Sequence, residues 1–488
     1  MSTALFELAI DWDMDGSYGS RNDGLLLSSL MIERGRRYVL RADGTGFEEE
    51  NTGQFSATLV DLERDYDPYH TASPLYPNVG PGRLFRMQAR IGSAVYPLMA
   101  GTLSEPVIGL DPDLLTVALN GTDGWSYLRD QKNRISIAMQ ENICADAAIQ
   151  LILDTINWPA LWGSSLMSGV ESYPYWWISG QSAASAIHDV AFSELGSVFI
   201  AGDGKVTFHS RHINDSALVT IRKENIMHGT LNILEPWEII RNSVEVVATP
   251  RIEQTVGALW TLPQAIRLNA NSSTEIFIDF KFNNELCPAR NVIQPVAFTD
   301  FQADTNSDGS GSDLTSDWDI VADVFSTGAK LTISNNGTAI GWLWTASVRG
   351  NAIAAGNTIR YRVDDAVSQA NLKAIRSFKL ETDWMQNPNA ARAAANYLGG
   401  LLPQPRKFLS FDLLPDPDLQ FTLDLGMLIT VYLPEDGING VYRIYYLRHE
   451  FMDVAGITTR TSLMVEPYTA PSSDYWIVPK QIPMKVAY

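Results

Sequence analysis

Val441-Tyr442-Arg443-Ile444-Tyr445-Tyr446-Leu447-Arg448-His449 is rich in β-branched and aromatic residues, and Phe408 to Leu414, Met427 to Leu433 and Thr458 to Val465 share its texture. Such residues fit a pleated, half-buried surface, so each run predicts a strand. Pro434-Glu435-Asp436-Gly437 and Val454-Ala455-Gly456 lie between them at hairpin length. Strands joined this way predict a compact barrel or small sandwich from Phe408 to Val465.

Just upstream, Asn387-Pro388 supplies an N-cap and a first-turn proline for a helix running through Ala391, Ala394, Ala395 and Leu398 to Gly399-Gly400. Its alanine face predicts close packing on a neighbouring element. Between about Pro250 and Val367 the texture changes: Asn, Ser, Thr and Gly rise, and strands such as Ala329 to Ser334 and Ile340 to Val348 alternate with loops. This predicts an inserted β-sandwich. Before it, Arg241 to Val247 reads as a strand.

Glu141 to Asn157 has helical spacing, with Ile143, Ala147, Leu151 and Ile152 on one face and Trp158-Pro159 as its end. A second helix begins at Ser182 as N-cap, carries Ala183, Ile187, Val190 and Ala191 inward, and stops at Gly196. Ser197 to Ala201 and Lys205 to His209 then flank Gly202-Asp203-Gly204, a hairpin signal. The first 130 residues read as strands, among them Gln54 to Val60, Leu84 to Ile91 and Leu114 to Leu119. Four prolines between Asp67 and Gly82 exclude a central strand there and predict an ordered arm carrying Tyr66, Tyr69 and Tyr76.

The chain is thus expected to be mainly β with α+β elements. Its predicted parts are a barrel-like domain over 1–130, a helix-plus-hairpin domain over 131–248, the insertion over 249–370, a helix and closing barrel over 371–470, and a tail over 471–488. With 488 residues, 45% of them hydrophobic and 19% charged, it has ample material for several cores. A net charge of −20 argues against nucleic-acid recognition, which draws on clustered Lys and Arg. The acidity reads as a contribution to solubility or, alternatively, as an acidic wall along a channel that would repel DNA phosphates. Met1 to Asp13 does not read as a signal peptide, and no run approaches a membrane span. Two separated cysteines, Cys144 and Cys287, predict no disulfide framework and cytoplasmic assembly.

Site-like strings are few. Asp11-Trp12-Asp13-Met14-Asp15-Gly16 and Asp304-Thr305-Asn306-Ser307-Asp308-Gly309 match the first half of a calcium loop, but Asn22 and Thr315 stand at the twelfth positions where a bidentate glutamate belongs. Both are read as acidic turns. The acidic groups Glu48-Glu49-Glu50, Asp364-Asp365 and Glu435-Asp436 read as surface. His70, His188, His209, His212, His228 and His449 show no zinc spacing, and no nucleophile elbow or phosphate loop occurs. Cys144 is expected to be a buried thiol within the first helix. No catalytic residue, cofactor or metal is therefore expected. Arg34, Arg36, Arg37 and Arg41 form a basic strand that reads either as a solvated face or as an ion-pair seam between subunits. The aromatic groups Tyr66 to Tyr76 and Tyr173 to Trp177 read as core or as interface.

Several strings resemble the hub (minor tail) proteins of siphophage tail tips, which are related to the hubs of contractile tails. They are Arg34-Gly35-Arg36-Arg37 with Phe55 to Leu62 and Tyr66-Asp67-Pro68, Phe85 to Ala89, Tyr96 to Gly101, and Ala183 to His209. Near the other end they are Ala391 to Leu402, Leu423-Asp424-Leu425-Gly426, Gly440 to Ile444 and Thr458 to Thr461. The resemblance implies a non-enzymatic homotrimeric virion protein with two ring-forming barrels. It would contact a distal tail protein, a tape-measure protein and a central fibre or receptor-binding protein, and let DNA pass without binding it. The alternatives are a distal-tail or other minor tail protein forming a hexameric ring, or a carbohydrate- or receptor-binding tail module.

Overall fold

The computed structural model describes residues 4–19, 21–35, 51–104, 107–110, 115–211, 216–235, 237–453 and 457–468. Strands β1 (Leu5–Ile10), β2 (Leu27–Gly35), β3 (Gln54–Val60), β4 (Leu84–Ile91), β5 (Ala94–Leu103), β6 (Val107–Leu110) and β7 (Leu115–Asp123) come first. In β4 the period of two is strict, with Phe85, Met87, Ala89 and Ile91 buried and their neighbours half-buried. The proline-containing arm runs as successive turns, held by Tyr66, which is buried and donates its hydroxyl to Asp23 at 2.6 Å. Tyr69 and Tyr76 are exposed.

Next come α1 (Gly124–Arg129), β8 (Arg134–Cys144), α2 (Ala145–Thr155), β9 (Ser164–Leu166), β10 (Ser172–Ser182), α3 (Ala183–Ser193), β11 (Ser197–Ile200) and β12 (Val206–His209). Glu141 to Cys144, expected in the helix, instead completes β8, because Cys144 pairs with Ser172 across the sheet. Cys144 is therefore a half-buried strand end rather than a buried helical thiol. Ser182 caps α3 as predicted, accepting the Ser185 amide at 3.1 Å. Trp176 and Trp177 lie in the core of this unit, so the interface reading of that patch gives way to packing.

After β13 (Thr220–Arg222), β14 (Asn232–Leu234) and β15 (Ser243–Ala248), the chain enters a sandwich. Its strands are β16 (Arg251–Glu253), β17 (Gly257–Thr261), β18 (Ile266–Leu268), β19 (Ser272–Asp279), β20 (Lys281–Phe282), β21 (Glu285–Leu286), β22 (Ala289–Ile293), β23 (Phe301–Asp304), β24 (Trp318–Val324), β25 (Gly328–Asn335) and β26 (Gly341–Ala355). The 15-residue β26 is a spine, with β16, β17 and β18 in succession along it and β22 and β23 also paired to it. A second sheet, β19-β25-β24, closes the other side of a core that includes Leu331, Ile333, Leu343 and Val348. The inserted sandwich is present.

β27 (Ile359–Asp364), α4 (Ala366–Leu372) and β28 (Ser377–Glu381) lead to α5 (Pro388–Leu401). Asn387 caps α5, accepting the Asn389 amide at 2.9 Å, and Ala390, Ala391, Ala394 and Ala395 are buried in one core with β15 and β28. α6 (Pro417–Gln420) and strands β29 (Phe408–Leu413), β30 (Leu428–Leu433), β31 (Ile438–Asp453) and β32 (Ile457–Pro467) complete the chain.

The mainly-β, multi-domain class is as predicted, but the two ends share one 13-stranded sheet instead of forming separate barrels. Its path runs β1-β4-β5-β7-β3-β2-β31-β32-β29-β14 and does not close. The cause is the length of β31, 16 residues, which at about 3.3 Å per residue is roughly 50 Å. Its first part pairs with β30 and its second with β2, while β32 pairs with it from Tyr442 to Asp453.

Candidate functional site

The switch of partner along β31 is built by a bulge and a glycine. The β31–β32 register shifts between Ile444 and Tyr446, leaving Tyr445 as the extra residue where β30 ends and β2 begins. A bulge bends a strand and strengthens its twist, which lets one strand serve two sheets. Opposite it stands Gly35, at φ +113°, where a Cβ would lie 2.3 Å from the Tyr445 carbonyl oxygen. Only glycine fits.

Beside this bulge Arg34 is fully buried. Its guanidinium donates to Asp424 at 2.6 Å and to the Ile200 carbonyl at 3.3 Å, while Asp424 also accepts the Gly202 amide at 2.9 Å. One ion pair therefore ties β2, the β11–β12 hairpin and the loop before β30. At this arginine both the solvated-face reading and the reading of a seam between subunits give way to an internal ion pair, because Arg34 is buried. Arg36, Arg37 and Arg41 lie outside the described residues.

Two titratable groups lie near Arg34. Burial pushes the Asp123 carboxyl up to about 6, opposed by backbone hydrogen bonds with Gly53 and Trp125 and by the charge of Arg34. His449 is driven the other way, to about 3, by burial and then by the same arginine. Its Nδ1 is 2.9 Å from Thr461 Oγ1. The cavity here, lined by Gly35, Asp123, Trp125, Ile200 and Arg443 among others, measures ≈ 40 Å³. That volume admits water and little else.

A second buried polar group went unread in the sequence. Glu194, just past α3, accepts the amides of Val170 and Glu171 at 3.0 and 3.1 Å, and burial raises its carboxyl to about 7. Glu171 pairs with Arg211 at 2.9 Å. Burial also raises Glu171, against the pull of Arg211. These contacts fasten the β9–β10 connection to the end of α3. No local spacing marks Glu194, since its burial comes from segments distant in the chain.

The calcium-like strings hold their own turns. Asp11 accepts the amides of Asp15 and Gly16, each at 3.1 Å, and Asp13 turns away to accept from Asn78 at 2.7 Å. Asp304 accepts the Asn306 amide at 2.8 Å, and Asp308 accepts the Ser310 amide at 3.1 Å. Asn22 caps the turn after β1, and Thr315 donates to Asp313 at 2.6 Å. Among the described residues no group of three His, Cys, Asp or Glu is placed to hold a metal. Glu435 pairs with Lys223, Asp364 with Arg362, and Asp365 caps α4. Glu48 to Glu50 and His212 fall outside the described residues. His188 stacks on Phe192, and His209 meets Phe199 edge-on. Cys287 is buried and its thiol pushed up by burial.

The two ends of the large sheet differ. At β1 the Leu8 amide donates to Asn22 Oδ1 at 3.0 Å, and the turn Asp23–Leu26 lies so close that a Cβ on Gly24 would be 2.5 Å from the Phe6 carbonyl oxygen. At β14 all three residues are exposed, and Ile233 (40%), Leu234 (51%) and nearby Trp237 (54%) present apolar surface. Among the described residues β14 pairs with β29 alone.

No protein-family model matches the chain, and no curated protein sequence matches it. Among solved structures it is similar to a tail protein from Neisseria meningitidis MC58, with 11% identity, a TM-score of 0.49 and coverage of 95% of this chain and 96% of that one. It is also similar to the 43 kDa tail protein of prophage MuSo2 from Shewanella oneidensis, with 11% identity, a TM-score of 0.47 and coverage of 95% and 96%. The third is prophage tail protein gp18 from Listeria monocytogenes EGD-e, with 8% identity, a TM-score of 0.42 and coverage of 94% of each chain. All three of these are described as tail proteins, two of them from prophages.

Proposed function

We propose that the chain is a structural hub subunit of a bacteriophage tail tip. In this reading three copies close a ring that joins the tail tube and distal tail ring to a central fibre or receptor-binding apparatus, with a tape-measure protein within and a passage for DNA. The observation that carries the proposal is the seam. The hub-like strings at the two ends, Arg34-Gly35 and Leu423 to Gly426, are 390 positions apart at their ion pair yet locked together. A ring subunit needs such a frame, since its opposite faces must keep a fixed angle for the rotation to close.

The bare edge at β14 supplies a surface for the neighbouring copy, because an unpaired apolar strand is a template for another chain. A net charge of −20 suits a conduit that DNA passes without adhering. Assembly would take place in the host cytoplasm, and the mature protein would sit at the virion's tail tip. The insertion over 249–370 would add a separate surface to this frame.

Class averages of the purified full chain by electron microscopy test the proposal. A hollow three-fold particle is expected. A six-fold ring would point to a distal-tail protein instead, and a compact monomer with a deep cleft would overturn the hub reading.

A further inference from the structure

The sandwich carries an open groove of ≈ 530 Å³ between β17, β19 and the β20–β21 hairpin. Its lining combines two aromatic rings, Trp260 and Phe277, with three polar side chains, Asp279, Lys281 and Asn284. Phe277 is 76% exposed, an unusual place for a phenyl ring, and lies nearly parallel to Phe325 at 6.4 Å. The side chains of Asp279, Lys281 and Asn284 have no hydrogen-bond or ion-pair partner among the described residues, while the backbones of Asp279 and Lys281 are held in strand pairs. The groove thus offers a carboxylate acceptor, an ammonium donor and an amide that is both.

Position is fixed by the backbone. Asn283 and Asn284 have φ of 51° and 68° and form the two-residue turn that joins β20 to β21. Such a turn, with two positive φ values, matches the strand twist and holds its residues in place. Asp279 ends β19. The site is therefore built on strand ends and a tight turn, and little ordering is needed when a ligand arrives.

We infer that this groove binds a neutral oligosaccharide through a pyranose unit. A pyranose has a C–H face that packs on an aromatic ring and a rim of hydroxyls that both donate and accept. Those two surfaces match Phe277 and Trp260 on one side and Asp279, Lys281 and Asn284 on the other. The charges of Asp279 and Lys281 cancel, so neither an anionic nor a cationic ligand is favoured. An open groove suits a unit within a longer chain, whereas small ligands are more often enclosed.

The test uses the full chain on an array of neutral hexose and N-acetylhexosamine oligosaccharides beside sialylated and sulfated ones, with calorimetric titration of the best ligand. Binding to neutral glycans is expected. Phe277→Ala and Asp279→Asn should each weaken it by about tenfold or more, which corresponds to about 1.4 kcal/mol. Both side chains are exposed, so the melting temperature should not change. Val321→Ala, on the outer face of β24, should bind like the parent. No glycan bound, charged glycans alone bound, or full affinity in Phe277→Ala would overturn the inference. The three-fold averages do not depend on this groove, so the two readings fail separately.

Discussion

At one end of the 13-stranded sheet β1 is closed off: Asn22 takes the Leu8 amide and the Asp23–Leu26 turn lies against the strand. At the other end β14 leaves Ile233, Leu234 and Trp237 in solvent. Both are edges of the same sheet, and an open apolar edge is a hazard that soluble proteins cover, charge or shorten. Among the described residues one edge is covered and the other is bare. Under the proposed hub reading the two edges would have different tasks, with β1 as an outer boundary and β14 as the place where a second copy attaches.

The comparison holds only if one frame carries both edges, and Gly35 is where it breaks most severely. Gly35→Ala forces a Cβ onto the Tyr445 carbonyl at positive φ, and a cost of about 4 kcal/mol or more is expected. Calorimetry should show the unfolding of the shared sheet shifting far down relative to the parent. An unchanged melting profile would mean that the bulge is not what unites the two halves.

Acid sharpens the same point, because Asp123 and His449 respond with opposite sign. Asp123, at about 6 in the folded chain, binds a proton before the unfolded carboxylate does, so its contribution grows as pH falls from 6 towards 4. His449, at about 3, stays neutral while the unfolded imidazole protonates, so its contribution is lost as pH falls below 6.5. Each amounts to about 2–3 kcal/mol between pH 6.5 and 4, and they nearly cancel. His449→Gln should therefore gain stability on acidification relative to the parent, and Asp123→Asn should lose it. Parallel pH profiles for the two variants would contradict this account.

Smaller effects separate the edges themselves. Asn22→Ala removes the cap over β1, costs about 1 kcal/mol and uncovers a strand, so slow aggregation is expected with the oligomer mass otherwise unchanged from the parent. Ile233→Lys with Leu234→Lys should alter subunit stability by no more than about 0.5 kcal/mol, since both side chains are exposed. Light scattering should nevertheless show the subunit mass in place of the assembly. An assembly that survives the lysines would move the contact elsewhere.

What the sequence made legible was local. Ser182 and Asn387 are legible as N-caps, and the strands from Phe408 onward from composition and turns, because those signals lie within a few residues of their effect. Pairing is another matter. Nothing in Ile340 to Val348 says that the strand continues to Ala355 and carries strands on both flanks, and nothing in Val441 to His449 says that its second half belongs to β2. Arg34 looked like one member of a surface run, yet its burial depends on a hairpin over 160 residues away. Glu194 and Asp123 gave no signal, since a carboxylate's surroundings are set by segments that approach only in the fold.

Hydrogen exchange on the assembled particle and on the Ile233→Lys, Leu234→Lys subunit tests the different tasks of the two edges most directly. The account predicts that the amides of residues 232–234 slow on assembly while those of Leu5 to Ile10 exchange alike in both. Equal exchange at 232–234 in the two samples, or protection gained at β1 instead, would contradict it.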